Sequence, residues 1–426
     1  MPTVRPRSRA LARAVLLTIL ALGAPLDAAR SSARADVTPE LQKGINAAIE
    51  KGTKWLKSQR SGDGMFGGLF LNNVERHQIG LGSLCGLALL ATGELKNDPG
   101  MLQTLAALKK QDALEINTRT TYGSACLIMF ITEMFRPEMK PDKDAGHYAK
   151  PKAKEPCGLP KEMAEWVQEL ATFLAEKQLD DGLWRYPYSP PGDLSNTQYA
   201  LLGLRAARDC GARIPASVFL KVLERVLAAQ MTDGLKHARV IAGGNKPGER
   251  DYSVGNDKAR GFGYLAAPGG VGDIITGAMT TAGIATLAIC RDALLKPERF
   301  STYTDELDRK VQTAVQDGFA WLDLNWAVDR NPPASAPAWH HYYLYGLERA
   351  CVFGGRDRIG KHDWYAEGAA VLVAKQQANG KWSTGAIGAK ELDPSDICDT
   401  AFALLFLKRA TRPLSPVPVP VVTTGG

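Results

Sequence analysis

The sequence predicts an all-α chain built as an (α/α)6 toroid, six inner helices wrapped by six outer ones. Three observations predict it. Amphipathic and nearly all-apolar helical segments alternate six times, the apolar members are hydrophobic on every side, and a Gln/Gly/aromatic mark recurs at the turns. A helix that is apolar all round is a buried one, whereas a helix with one charged face meets water. An inner ring inside an outer ring satisfies both patterns. Internal repetition outranks length as a guide to domain number, so 426 residues are read as one ring.

The chain opens on a different signal. Arg5, Arg7, Arg9 and Arg13 precede an apolar run from Ala14 to Leu22, and Ala33-Arg34-Ala35 follows. A basic start, a short apolar core and a small-x-small site make a secretory signal peptide, and the run is too short to span a bilayer. Residues 1–35 are therefore expected to be removed after Ala35, leaving a periplasmic or extracellular protein with no transmembrane segment. They hold six arginines and one aspartate, so the net charge falls from +7 to +2 without them. That balance gives no electrostatic case for a nucleic-acid partner. Seven cysteines are an odd number for an exported chain. Cys85, Cys126, Cys290 and Cys351 lie in apolar helical stretches and read as small buried hydrophobes. Cys157 and Cys210 sit near loops and can pair if the fold brings them close.

The ring is read over residues 36–412. The first helices of the pairs are expected at about 38–59, 99–111, 161–178, 215–230, 302–326 and 363–377. The second helices are expected at about 76–93, 119–135, 193–209, 273–295, 338–353 and 396–410. Lys161, Glu162, Glu165, Glu169 and Glu176 show the charged face of a first helix. Ile79 to Ala91 and Ala278 to Ile289 show the apolar second type. At the turns, Gln59 is followed by Gly64 and Phe66, Gln178 by Gly182 and Trp184, and Gln377 by Gly380 and Trp382. Gln230 and Gly234 repeat the start of the mark, with Gly261-Phe262-Gly263-Tyr264 replacing the aromatic after an insertion. Glycine supplies positive φ, glutamine can cap backbone groups, and the ring can plug the seam between pairs. Residues 137–160 and 242–272 read as long Pro/Lys-rich and Gly-rich connections. Residues 413–426, with Pro413, Pro416, Pro418 and Pro420, read as a disordered Pro-rich tail.

In a ring of this kind the inner-helix N-termini gather at one mouth, where unpaired N–H groups and partial positive charge collect. Polar residues cluster at those starts. Asp193, Asp273, His340, His341, Asp396 and Asp399 are the candidate catalytic residues, and His77, Tyr122, Asn196, Trp339 and Cys398 the candidate ligand-binding ones. Helix capping accounts equally well for Asp193, Ser195, Asp273, Asp396 and Asp399. It does not account for His77, Asn196, the His340-His341 pair or Cys398.

Lys51-Gly52, Trp55-Leu56, Gln59, Gly64 and Phe66, with the Gln178 and Gln377 versions, resemble the Q-and-W repeats of squalene cyclases and protein prenyltransferases. The resemblance covers about Val37 to Thr411 and implies the toroid together with a central cavity for an isoprenoid or lipid-like ligand. It does not imply cyclase chemistry. The acid motif of that family is Asp-x-Asp-Asp, and the nearest run here is Gln178-Leu179-Asp180-Asp181, which lacks the first carboxylate. No Gly-Cys-Gly-Glu-Gln stretch exists, so a thioester domain is excluded. No cofactor is expected. Zinc is the alternative the resemblance raises, through Asp396-Ile397-Cys398 with His340 or His341. A glycan-active enzyme remains open, with two of the mouth carboxylates flanking a bond and a floor drawn from Trp184, Tyr186, Tyr188, Trp339, Tyr342, Tyr343, Trp364 and Tyr365. A non-catalytic binding or scaffold module is the third class.

Overall fold

The computed structural model describes residues 37–67, 78–137, 157–187, 189–238, 256–295, 302–333, 339–384 and 394–414. The leader at 1–35 lies outside them, as do His77, Tyr188 and the tail beyond Leu414. The described residues form twelve α-helices: α1 Pro39–Ser58, α2 Gln78–Thr92, α3 Pro99–Leu114, α4 Thr121–Phe135, α5 Lys161–Glu176, α6 Leu194–Asp209, α7 Ala216–Ala229, α8 Gly277–Leu295, α9 Asp305–Leu324, α10 His340–Gly354, α11 Trp364–Lys375 and α12 Pro394–Leu407. Two small antiparallel pairs interrupt them, β1 Trp184–Tyr186 with β2 Ser189–Asp193 and β3 Leu235–Ala238 with β4 Asn256–Ala259. Neither pair is legible as alternation in the sequence. The second falls partly in the stretch read as a Gly-rich connection.

Local chemistry sets the helix ends. Thr38, Asp98, Thr120, Asp193, Thr304 and Asp363 each accept a backbone N–H of the following helix. One expected start is wrong. Helix α8 begins at Gly277, where Thr276 Oγ1 accepts the Met279 N–H at 3.2 Å, so Asp273 lies in the preceding turn and caps nothing.

The even-numbered helices are the buried ones. Nearly every side of α6 and α8 is covered. Helix α8 is long and apolar enough in composition to cross a bilayer, but most of it is buried inside the fold. Helix α2 packs on α4, α4 on α6, α6 on α8, α8 on α10, α10 on α12, and α12 returns to α2. The odd-numbered helices pack on them and expose their charged faces; α1 touches α11 and α12 as well as α2.

The Gln/Gly/aromatic mark works as a staple. Gln178 Nε2 donates to the Gly182 carbonyl and to Val218 O on α7, at 3.1 and 3.0 Å. Gln230 Nε2 donates to Arg260 O and to Ala314 O on α9. In the last repeat the staple is Gln376 rather than Gln377. Its amide reaches Gly380 O and, 328 residues back in the chain, Ala48 O on α1. The spacing Gln376-Gly380-Trp382 repeats Gln178-Gly182-Trp184 residue for residue. Gln59 does not staple. Its amide stays on Trp55 O and Ser58, within its own helix end.

The aromatic residue follows the same rule. The backbone N–H groups of Trp184, Phe262 and Trp382 donate to the hydroxyls of Thr197, Thr280 and Thr400, each in the even-numbered helix that follows. Phe262 therefore takes the aromatic place after the insertion. Gly182 and Gly380 need glycine twice over. Each has positive φ (91° and 96°), and an added Cβ would lie 2.7 Å from Lys221 O or 2.5 Å from Lys51 O.

Cys157 and Cys210 form a disulfide that ties the chain before α5 to the end of α6. Cys85, Cys126, Cys290 and Cys351 are buried thiols, as their apolar settings imply.

Candidate functional site

Helices α6 and α10 both pack on α8, so side chains that α6 and α10 share lie inside the even-numbered set. The helical period selects them. Ser195, Gln198 and Tyr199 occupy one face of α6, and Tyr342, Tyr345 and Arg349 one face of α10. The Ser195 hydroxyl exchanges hydrogen bonds with Tyr122 of α4 and Tyr342 of α10, both at 2.6 Å. The Gln198 amide donates to the same Tyr342 oxygen, and Arg349 Nη2 donates to Gln198 Oε1 at 3.3 Å. A polar chain thus runs Tyr122, Ser195, Tyr342, Gln198, Arg349 across α4, α6 and α10.

Aromatic rings surround it. Tyr122 lies 4.9 Å from Tyr199 and 5.6 Å from Tyr186, ring centre to ring centre. Tyr199 stacks toward Tyr342 at 6.2 Å, and Phe402 of α12 lies 5.8 Å from both Tyr342 and Tyr345. Trp339 stands at the start of α10 in left-handed conformation, 72% exposed, with its ring edge-on to Tyr342. Burial pushes the phenols of Tyr342 and Tyr345 up to about 12, so both remain hydroxyl donors at neutral pH.

The carboxylates expected to be catalytic are mostly committed elsewhere. Asp193 Oδ1 accepts the Asn196 N–H at 2.7 Å, and Oδ2 accepts the Asn196 side-chain amide at 2.8 Å. Burial raises the Asp193 carboxyl above its usual value, against the pull of those bonds. Asp193 is a helix cap, and Asn196 is spent on it. Asp396 pairs with Lys381 at 2.6 Å. Asp399 Oδ2 accepts the Thr384 N–H, while Oδ1 lies 3.2 Å from His341 Nδ1 without hydrogen-bond alignment. His340 Nε2 is bonded to the Val328 carbonyl, and burial, then His341, lowers this imidazole to about 4. Asp273 Oδ2 is buried without a hydrogen-bond partner among the described residues, but it packs against the turn at Gly263. Asp181 closes its own turn by accepting the Leu183 N–H.

The zinc set suggested by the resemblance does not fit. Asp396 is held by Lys381, His340 by a backbone carbonyl, and no group of three or more His, Cys, Asp or Glu among the described residues is arranged to hold a metal ion. Cys398 lies instead within electrostatic reach of Cys85 and Cys126.

Of the residues expected at the mouth, Tyr122 and Trp339 join the aromatic set. Trp184 does not: it is fully buried, and its indole N–H donates to Leu174 O. Tyr343 is core, with its hydroxyl on Ala327 O, and Tyr345 is core too, its ring centre 4.1 Å from the Arg349 guanidinium. Trp364 and Tyr365 sit on helix α11 against Phe406. The sequence reading missed Arg349. Its one signal is a charged pair, Glu348-Arg349, within a helix otherwise read as buried.

No family model and no curated protein matches the chain. Among solved structures it is similar to a type II terpene cyclase, MstE, from Scytonema. The form in complex with merosterolic acid A is 10% identical, with a TM-score of 0.46 over 87% of this chain and 98% of that one. The form in complex with geranylgeranyl dihydroxybenzoate is also 10% identical, with a TM-score of 0.45 over the same shares.

Proposed function

We propose that the chain is an exported (α/α)6 toroid that binds a small, largely apolar ligand, isoprenoid or lipid-like, on the axis inside the inner-helix N-terminal mouth. The closed order of even-numbered helices and the Gln376 staple to α1 support the ring. The observation that carries the ligand is the meeting of Tyr122, Ser195 and Tyr342 from three different inner helices amid Tyr186, Tyr199, Tyr345 and Phe402. Few convergent polar groups in an aromatic lining suit a ligand with a long apolar body and one polar end. Asp181 is held in its own turn, which disfavours a cyclase acid, and Asp193 and Asp396 are consumed by an amide and a lysine, which disfavours a glycosidase pair drawn from them.

Titration of delipidated protein with the C20 chains geranylgeraniol and geranylgeranoic acid tests this. Saturable one-to-one binding of at least one is expected, weakened roughly fivefold by Tyr342→Phe through a lost hydrogen bond. Absence of binding by both overturns the reading. The disulfide and the Arg-rich leader support export. N-terminal sequencing of protein from the cell envelope is expected to begin at Asp36, and a start at Met1 contradicts it.

A further inference from the structure

Other buried or half-buried arginines in this protein have an evident partner. Arg119 is gripped by Asp112 and Glu169, Arg260 by Asp317, and Arg205 by the carbonyls of Arg412 and Pro413. Arg349 is different. It is 1% exposed, and Nη2 donates to Gln198; Nε and Nη1 make no aligned hydrogen bond among the described residues, although the phenols of Tyr199 and Tyr345 interact with the guanidinium. Its guanidinium lies 4.1 Å from the Tyr345 ring centre and 5.2 Å from that of Tyr199. Those faces offset part of the desolvation cost but accept no N–H in the plane of the guanidinium. The neighbouring carboxylate is turned away: Glu348 accepts the N–H and the hydroxyl of Thr411. An arginine cannot shed its charge, so burial leaves a cation with two donors open.

Position gives those donors a direction. Tyr342, Tyr345 and Arg349 follow one another down a single face of α10, and the polar chain from Ser195 and Tyr342 ends on Arg349 through Gln198. At the far end, residues 411–413 strap across the inner helices, bonded to Glu348 of α10, Arg205 of α6 and, through Arg412, Glu133 of α4.

Resting on the ligand reading above, we infer that the bound molecule is an amphipathic oxyanion whose carboxylate or phosphate head pairs with the open Nε and Nη1 of Arg349. Nε and one Nη on the same edge of a guanidinium form the fork that matches two oxygens of such a head. The apolar body lies toward the mouth, among Tyr199, Tyr342, Tyr345 and Phe402.

The test is calorimetry on the full mature chain with three C20 probes: geranylgeranoic acid, geranylgeranyl phosphate and geranylgeraniol. Acid or phosphate is expected to bind at least about tenfold more tightly than the alcohol, as a charge-assisted hydrogen-bonded pair should. The tighter of the two identifies the head. Arg349→Gln is expected to erase the preference, and Arg349→Lys to retain part of it. Equal affinity for all three overturns the oxyanion while leaving the ligand reading intact. A preference that survives Arg349→Gln overturns the role of Arg349. Failure of all three to bind overturns the ligand reading and this inference with it. Should Arg349→Gln not fold, the acid-against-alcohol comparison on the unaltered protein decides.

Discussion

Replacing Trp382 by alanine is expected to cost about 3–5 kcal/mol, the range for removing a fully buried tryptophan. The residue is 0% exposed, and its ring fills the space left by Gly52 of α1, where an added Cβ would lie 2.6 Å from the ring. The substitution opens a cavity between the last repeat and the first, and strands the Leu372 carbonyl that accepts the indole N–H at 2.8 Å. For a chain of this size that loss corresponds to a fall in Tm of about 5 °C. Trp184→Ala is the control, because Trp184 makes the same pair of bonds at an interior seam, to Thr197 and to Leu174. Similar losses at both positions mean that the closing seam is as tight as an interior one. A large loss for Trp184→Ala beside a negligible one for Trp382→Ala means that the two ends of the chain do not close on each other.

The second expected result concerns pH and two buried groups that act in opposite senses. Burial raises the Glu348 carboxyl to about 7, partly countered by the two bonds from Thr411. Stability from this group is therefore complete below the unfolded carboxylate value and is lost as pH rises through about 7. Burial lowers the His340 imidazole to about 4, so its contribution is present above the unfolded histidine value and is lost as pH falls through about 4. Between about pH 4.5 and 6.5 the two slopes cancel. Glu348→Gln removes one of them. Relative to the unaltered protein, its unfolding free energy is expected to gain on the order of 3 kcal/mol as pH rises from about 4.5 to 7. His340→Gln should shift the opposite way between about pH 4 and 6.5. Denaturant titrations at three pH values measure both. Parallel profiles for the variant and unaltered proteins rule out the assignment.

The Glu348 group also shows how the site is tied to the chain terminus. Thr411 and Arg412, at the end of the stretch read as ring, strap the far end of α10, α6 and α4. A weakened Glu348–Thr411 contact loosens the segment beneath Arg349.

What the sequence determined by itself was the helix inventory and its alternation. Apolar periodicity is local, and in all twelve helices it survived folding, because a helix apolar on every side has only the interior to go to. It also revealed the Gln/Gly/aromatic mark, whose residue spacing is fixed by one turn. Tertiary structure decided the rest. The spacing to Gly380 and Trp382 already singles out Gln376 over Gln377, but its partner Ala48, 328 residues distant, is supplied only by the fold. Asp193 and Asp396 look alike in sequence as polar residues near helix starts, yet Asp193 is consumed locally by Asn196, three residues on, whereas Asp396 pairs with Lys381, fifteen residues away, which helical spacing does not set. Arg349 is an ordinary charged residue in the sequence. It stands out only because the fold buries it beside Tyr199, Tyr345 and Gln198 and turns the adjacent carboxylate to Thr411.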